Sequence, residues 1–139
     1  MSELPVVWFE RRSSLCLGAI RREGPKKLTL IDEQGDTTRI QRERVVATLE
    51  SRVSAKDTGR ELTALRLSWG QVPVPDEDEL WASLPDAPIE LRELARMRFG
   101  SAGDAELFAL ACGLTSGESS ATGQLRASFF VRDGAILRR

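Results

Sequence analysis

Paired basic residues recur along the first third of the chain, beside predicted turns between strands. The pairs are Arg11-Arg12, Arg21-Arg22 and Lys26-Lys27, and they are followed by Arg39, Arg42 and Arg44. On a small β-structure such residues could converge into a groove that neutralises the phosphates of a nucleic acid. The alternative is an ordinary solvated rim, because ten acidic residues are interspersed among the 13 basic residues of positions 1–66. The sequence leaves both interpretations open.

Residue types that support catalysis are scarce. The chain has no histidine, which removes Ser-His and Cys-His nucleophile pairs, His-ligated zinc and the usual general base. The acids at 76–79 are consecutive and point in different directions, so with Asp86 and Glu90 they indicate a solvated helix start rather than a Mg²⁺ site. Cys16 and Cys112 lack C-x-x-C spacing and are expected to be buried free thiols. We therefore expect no catalytic residue, metal site or cofactor in this chain.

The composition is that of a soluble protein with enough apolar residues for a core. It is 41% hydrophobic and 29% charged, and its 139 residues suit one ordinary domain or two very small ones. No apolar run approaches membrane-spanning length, and the N-terminus lacks the pattern of a signal peptide, so a cytoplasmic protein without membrane contact is expected. Residues 1–66 carry 13 basic and 10 acidic residues (+3), and residues 67–139 carry 7 and 11 (−4). This asymmetry indicates two modules.

The first module is predicted to be β-structure. Strand-like runs separated by turn signals about every ten residues are typical of a small barrel, and Gly18 within the second run suits a sharp bend. We expect an SH3-like or OB-like barrel over residues 1–52. Residues 54–69 place Leu62, Leu65 and Trp69 on one face of a helix, and a proline-broken linker follows. Residues 53–75 are therefore assigned to a connecting helix and linker.

The second module, residues 76–139, is predicted to be a winged helix. Asp76 begins a first helix with acids at its positive end, and Pro88 suits the first turn of a second. A third helix carries Leu107, Phe108, Ala111 and Cys112 inward. A polar loop over 115–124 then precedes a hairpin whose Asp133-Gly134 turn is a strong signal. Three helices followed by a two-stranded ribbon is the winged-helix order, so the fold class is α+β.

Two sets of residues discriminate between modes of binding. The third helix, "DAELFALACGL", offers no side chain for reading bases, and its Asp104 and Glu106 would repel phosphate, which argues against sequence-specific DNA recognition. The hairpin has four arginines, at positions 126, 132, 138 and 139. The aromatic pairs at 8–9 and 129–130 alternate faces. In each pair one ring is expected in the core. The other ring of the first pair could stack on a base or pack against the helical half, and the other ring of the second pair would, if exposed, mark a docking surface for a partner domain.

Three stretches carry a resemblance to a known family. "LGAIRREGPKKLTLIDEQGDTTRIQRERV", "LRELARMRFGSAGDAELFALACGL" and "ASFFVRDGAILRR" resemble the amino-terminal region of ribonuclease II/R (RNB) enzymes, which has a small barrel and a winged helix. The resemblance covers nearly all of the chain through diffuse patterning. It implies a 3′-to-5′ exoribonuclease acting on single-stranded RNA with Mg²⁺. The metal-binding aspartates of that family belong to a catalytic domain that would follow Arg139, and no residue here matches them.

Together these observations predict a non-catalytic accessory region that positions single-stranded RNA, weakly and without sequence specificity, or docks on a catalytic RNB domain or chain. The predicted RNA-binding residues are Arg11, Arg12, Arg21, Arg22, Lys26, Lys27, Arg39, Arg42 and Arg132. Mg²⁺ is expected only in the absent catalytic domain. The barrel half is expected to make the main contact, because it carries the positive charge. The alternative is a free-standing winged-helix adaptor or transcription regulator that acts through protein contacts.

Overall fold

The computed structural model describes residues 3–70, 72–116 and 123–139 as an α+β structure. The strands are β1 (Glu3–Arg11), β2 (Ser14–Glu23), β3 (Lys27–Asp32), β4 (Thr37–Gln41), β5 (Val45–Ser54), β6 (Thr115–Ser116), β7 (Gly123–Leu125), β8 (Phe129–Arg132) and β9 (Ala135–Arg138). The helices are α1 (Thr58–Ser68), α2 (Glu77–Ser83), α3 (Leu91–Phe99) and α4 (Asp104–Leu114), and a 3₁₀ turn at Arg42–Arg44 joins β4 to β5. None of the described helices is long and apolar enough to cross a membrane.

The main sheet is antiparallel and open. Its hydrogen-bonded order is β4-β3-β2-β1-β5, and β7 pairs with the beginning of β2 and with β6. The sheet curls, since Arg11 at the end of β1 donates from Nη1 to Thr38 Oγ1 of β4 at 2.9 Å. The predicted closed barrel is not formed by the described strands. β5 pairs with β1, not with β4, and backbone groups of β5 bond instead to side chains of α3 and α4.

The curled sheet has apolar side chains on both faces, as the alternation of side chains along a strand requires. The inner cluster consists of Val7, Phe9, Ile20, Leu28, Leu30 and Ile40. Gly18 lies beneath the Phe9 ring, where an added Cβ would stand 2.8 Å from Phe9 Cε1. The outer face carries Trp8, which stacks on Phe108 of α4 with ring centroids 6.5 Å apart. Trp8 and Phe9 are therefore both buried, and neither is a platform for a base.

The helices start and end where local chemistry requires. The Asp76 carboxylate accepts hydrogen bonds from the amides of Asp78 and Glu79 and caps α2, so this helix begins where it was predicted to begin. The second helix was predicted to include Pro88 but begins only at Leu91, because Ile89 forms a backbone bridge with Ile136 of β9. That bridge ties the segment between α2 and α3 to the hairpin.

Both halves of the chain contribute to one core. The outer cluster combines strand residues such as Leu15 and Val53 with Leu80, Leu94 and Leu110 of the helices. Three helices and a hairpin follow one another as expected, and the hairpin turn has positive φ at Asp133 (52°) and at Gly134 (77°). The polar loop predicted over 115–124 begins and ends in the short strands β6 and β7, and positions 117–122 lie outside the described residues. The boundaries at 52 and 75 stay a prediction.

Candidate nucleic-acid interface

A bulge in β2 determines which side of the sheet Arg22 occupies. Ile20 pairs with Leu30, but the next pair along the strands is Arg22 with Thr29, so Arg21 is an extra residue on β2. Without the bulge Arg22 would pair with Leu28, whose side chain belongs to the inner apolar cluster. The bulge instead aligns Arg22 with Thr29, which pairs on its other side with Arg39 of β4.

These side chains border a cleft of about 330 Å³ at the end of the sheet where β2 turns into β3. The cleft is lined by Arg22, Gly24, Pro25, Lys26, Lys27, Thr29 and Arg39. Four of the seven lining residues are cations, one is a hydroxyl donor, and none is acidic. We call this site the basic cleft.

Arg42 supports the turn at the edge of the basic cleft. Its backbone amide donates to the Lys26 carbonyl at 3.2 Å, and its Nε donates to the Gly24 carbonyl at 3.0 Å. The Gly24 amide donates to the Lys27 carbonyl at 2.8 Å and closes the turn. The Arg42 side chain therefore holds the turn through the neutral Gly24 carbonyl, and its charge is paired with no acid among the described residues.

The predicted binding residues differ from most other arginines of the chain in their partners. Within the described residues, none of the nine forms an ion pair, whereas seven other arginines do. The seven pairs are Arg44–Glu10, Arg60–Asp57, Arg66–Glu33, Arg96–Glu93, Arg98–Glu79, Arg126–Glu77 and Arg138–Asp86. Four of the seven acids belong to the second half of the chain.

The structure gathers five of the nine predicted residues, leaves Arg21 beside them and places the other three elsewhere. Arg22, Lys26, Lys27 and Arg39 line the basic cleft, and Arg42 contacts its turn. Arg21 is exposed on the bulge beside it. Arg11 and Arg12 lie at the opposite end of β2, where Arg11 pairs with Ser14 and Arg12 has φ 53°. Arg132 lies on β8, in a shallow depression shared with Arg44.

A second groove, of about 550 Å³, lies between the β1–β2 turn and the β8–β9 hairpin. It contains Glu10, a charged residue that is only 6% exposed. Its carboxylate accepts from Arg44 Nη1 at 2.6 Å and from the Ser13 amide at 2.7 Å. Sequence reasoning did not single out this carboxylate, because Glu10 lies in a strand beside a basic pair and its partner Arg44 is 34 positions away.

The second aromatic pair divides as expected. Phe129 is buried in the core, and Phe130 is partly exposed in the groove, where the Arg139 guanidinium lies 4.9 Å from its ring centroid. Arg138 is engaged elsewhere, over the Trp81 ring at 4.4 Å and in its ion pair with Asp86. Of the hairpin arginines, only Arg132 and Arg139 are therefore without an ion pair among the described residues.

Asp104 has a role different from the one predicted for it. Its Oδ1 accepts from the Glu50 amide at 2.8 Å, and its Oδ2 accepts from the Ser51 amide at 3.0 Å and from the Ser51 hydroxyl. The Asp104 carboxylate therefore attaches α4 to β5, and these hydrogen-bond donors stabilise its negative charge. Glu106, in the same helical turn, has no corresponding contact among the described residues.

The cysteines are free thiols, as expected, and both are half-buried rather than fully buried. Burial raises the pKa of the Cys16 thiol, and the nearby Arg11 guanidinium opposes that rise. Burial likewise raises the pKa of Cys112. Within the part of the chain that the structure describes, no three His, Cys, Asp or Glu side chains are placed to hold a metal ion.

Comparison of the chain with protein-family models, curated proteins and solved structures finds no match.

Proposed function

We propose that this chain binds single-stranded RNA through the basic cleft, weakly and with little sequence preference. The observation that carries the proposal is the gathering of Arg22, Lys26, Lys27 and Arg39 around one cavity whose lining contains no acid. A phosphate chain entering this cleft would break no existing ion pair of these side chains. It would also relieve the repulsion among them and release their counterions.

The chemistry of the lining favours the backbone of the nucleic acid over its bases. Lysine and arginine neutralise phosphates in any sequence, and the Thr29 hydroxyl adds one neutral hydrogen-bonding group. A cavity of about 330 Å³ is large enough for roughly one nucleotide-sized group, at the lower end of the range for ligand sites. Affinity would therefore depend on charge and fall steeply with salt.

The helical half is less suited to nucleic acid. Helix α4 contains no Lys, Arg, Asn or Gln, and its residues Leu107, Leu110 and Leu114 are fully buried. Asp104 fastens it to β5. This supports a contact made chiefly by the sheet, with α4 in a structural role.

We further propose that the curled sheet is an open variant of an SH3-like or OB-like barrel and that residues 76–139 form a winged helix. The order of α2, α3, α4 and the hairpin supports the second assignment, as does the Ile89–Ile136 bridge. On this proposal the chain is an accessory region of the kind that precedes a catalytic RNB domain. It would deliver single-stranded RNA to such a domain, in the same polypeptide or on a partner chain, and Mg²⁺ would act there.

The test is fluorescence anisotropy with a labelled uridine dodecamer at several salt concentrations. The variant Lys27→Gln/Arg39→Gln removes two cations of the basic cleft. We expect its affinity at low salt to fall about tenfold, and the slope of log K against log salt to shrink by roughly 1.4, because each phosphate contact on a single strand contributes about 0.7.

A matched control removes the same charge elsewhere. Arg60→Gln/Arg96→Gln also replaces two exposed cations, each of which pairs with an acid three positions away on the helical surface. This control should bind RNA almost as wild type does. Equal losses in the two variants would mean that only net charge matters, and the assignment to the cleft would be wrong. No binding by the wild-type chain at low salt would refute the function itself.

A further inference from the structure

The groove beside the hairpin has the features of a ligand site that is distinct from the basic cleft. Its volume of about 550 Å³ lies within the range of small-molecule sites. It is lined by both polar and apolar groups, among them Phe130, Gln124 and three arginines at positions 44, 126 and 139. A partly exposed aromatic ring beside arginine planes is the combination on which unpaired bases stack.

Glu10 makes one wall of this groove rigid. A carboxylate this deeply buried requires partners, and it has two, Arg44 and the Ser13 amide. The same contacts fix the β1–β2 turn, in which Arg12 and Ser13 both have positive φ. The wall opposite the hairpin is therefore preorganised, and half of the Arg44 side chain remains exposed to a ligand.

Phe130 and Arg139 form a stacking surface on the other wall. The guanidinium lies 4.9 Å from the ring centroid, and the backbone of Arg139 is held in place because its amide donates to the Ser128 carbonyl at 2.9 Å. Its carbonyl accepts from Trp81 Nε1 at 3.0 Å. Unpaired nucleobases stack on aromatic rings and on arginine planes alike.

Neighbouring residues lead from the groove to the basic cleft. A depression of about 230 Å³ shares Arg44 and Val131 with the groove and extends to Gln41. Gln41 pairs directly with Lys27 of the basic cleft. Arg132 and Arg44 face this depression together with Glu43 and Asp133, so its charge is balanced and it would carry a strand across without binding a phosphate strongly.

We propose that the hairpin groove holds a base of the same RNA strand whose phosphates occupy the basic cleft. The base stacks on the Phe130–Arg139 pair, and the strand passes over the 3₁₀ turn between the two sites. This inference rests on the proposed function, and it adds a base-dependent contact to a site that otherwise recognises charge alone.

The experiment compares a probe with bases to a polyanion without them. Binding of the uridine dodecamer is measured by anisotropy, and binding of inorganic polyphosphate by competition, for Phe130→Leu, Arg139→Gln and wild type. Phe99→Leu, another half-buried phenylalanine outside the groove, controls for loss of packing. Circular dichroism confirms that each variant is folded, and Arg139→Gln keeps the test valid if Phe130→Leu does not fold.

We expect Phe130→Leu to weaken RNA binding about 5- to 20-fold, within the range for the loss of one stacked base, with no change in the salt slope or in polyphosphate binding. Arg139→Gln should weaken RNA binding more than polyphosphate binding. RNA binding by both variants within twofold of wild type would overturn the inference while the basic cleft could still stand. Equal weakening for the two probes would also overturn it, since the contact would then be one of charge. Absence of RNA binding by wild type would remove both proposals.

Discussion

Asp104 provides a quantitative test of how the helical layer is attached to the sheet. In β5 three residues, Leu49 to Ser51, stand opposite the single residue Val6 of β1. Such a bulge leaves backbone amides without partners in the ladder, and the Asp104 carboxylate accepts hydrogen bonds from two of them, those of Glu50 and Ser51. Replacing Asp104 by alanine removes the acceptor. The two amides must then bond to water or remain without a hydrogen-bond partner.

The expected cost follows from the number and environment of these bonds. A hydrogen bond to a charged group contributes about 1.5–3 kcal/mol when it is buried. Glu50 is exposed and Ser51 is half-buried, so water partly replaces the lost acceptor. We therefore expect Asp104→Ala to lower the free energy of unfolding by about 2 kcal/mol, and Asp104→Asn, which keeps one acceptor oxygen, by about 1 kcal/mol. For a chain of this size the alanine variant should lower Tm by about 6–10 °C.

The control is Glu106→Ala, because Glu106 lies in the same first turn of α4. Both substitutions remove one negative charge from the helix start, a loss of about 0.3–1 kcal/mol, so their difference isolates the contacts with β5. Urea unfolding followed by circular dichroism and by tryptophan fluorescence measures both variants. If Asp104→Ala is no less stable than Glu106→Ala, the bulge amides do not need the carboxylate and the reasoning fails.

Two further predictions concern the inner face of the sheet and the thiols. Gly18→Ala should lower the free energy of unfolding, measured by urea titration, by about 1–3 kcal/mol, because the new methyl group would press on the Phe9 ring. Gly70→Ala is the control and should be neutral, since a Cβ at that position would have no atom within 4 Å. Equal stability of the two variants would contradict the close contact at Gly18. Since burial raises the pKa of Cys16 and Cys112, the thiolate fraction is small at neutral pH, and alkylation by iodoacetamide, followed by peptide mass spectrometry, should still accelerate above about pH 9. A rate that levels off below that pH would show that the thiols are not shielded.

Local signals in the sequence predicted local structure well. The Asp133-Gly134 turn, the helix start at Asp76 and the apolar face of Leu62, Leu65 and Trp69 all depend on residues within one or two turns of each other, and each is found. The helix that carries this apolar face is shorter than the predicted 54–69, since it spans Thr58–Ser68. The predicted start of α3, at Pro88, was wrong by three positions. Pro88 favours a first helical turn, but the next residue, Ile89, forms a backbone bridge with Ile136. That bridge joins positions 47 apart, and no local pattern encodes it.

The sequence predicted the residues of the candidate site but not their spatial arrangement. The basic pairs were recognised from residue type, yet the sequence does not say which of them share a face. That depends on the bulge at Arg21, which shifts Arg22 to the side of Thr29 and Arg39. A one-residue change of register reverses the faces of a strand, and nothing in the side chains of 20–22 marks the bulge. The same holds for the bulge in β5, whose Glu50 and Ser51 amides bind Asp104 of α4 across more than 50 positions of sequence.

The charge asymmetry of the sequence predicted a basic half and an acidic half. The ion pairs of the structure determine which basic side chains remain available to bind an anionic ligand. The acids of the second half are concentrated in and beside the helices, where Glu77, Glu79 and Asp86 pair with arginines of that half. Asp104 is directed at amides of β5. The helical acids engaged in these contacts are therefore occupied near their own layer and do not line the basic cleft.

The cations of the basic cleft lack ion-pair partners among the described residues because of the fold rather than because of any single residue. Helix α1 lies against β2, β3 and β5, while Lys27 and Arg39 are exposed on strands β3 and β4 beyond the residues that join the outer core. Cations held together without acids repel one another, and only water and mobile ions screen that repulsion. A phosphate chain would replace those ions with fixed charges at the same positions, so attraction and relief of repulsion act in the same direction. Added salt opposes both, and the salt dependence of binding is therefore the property that most directly connects the observed arrangement of charges to the proposed function.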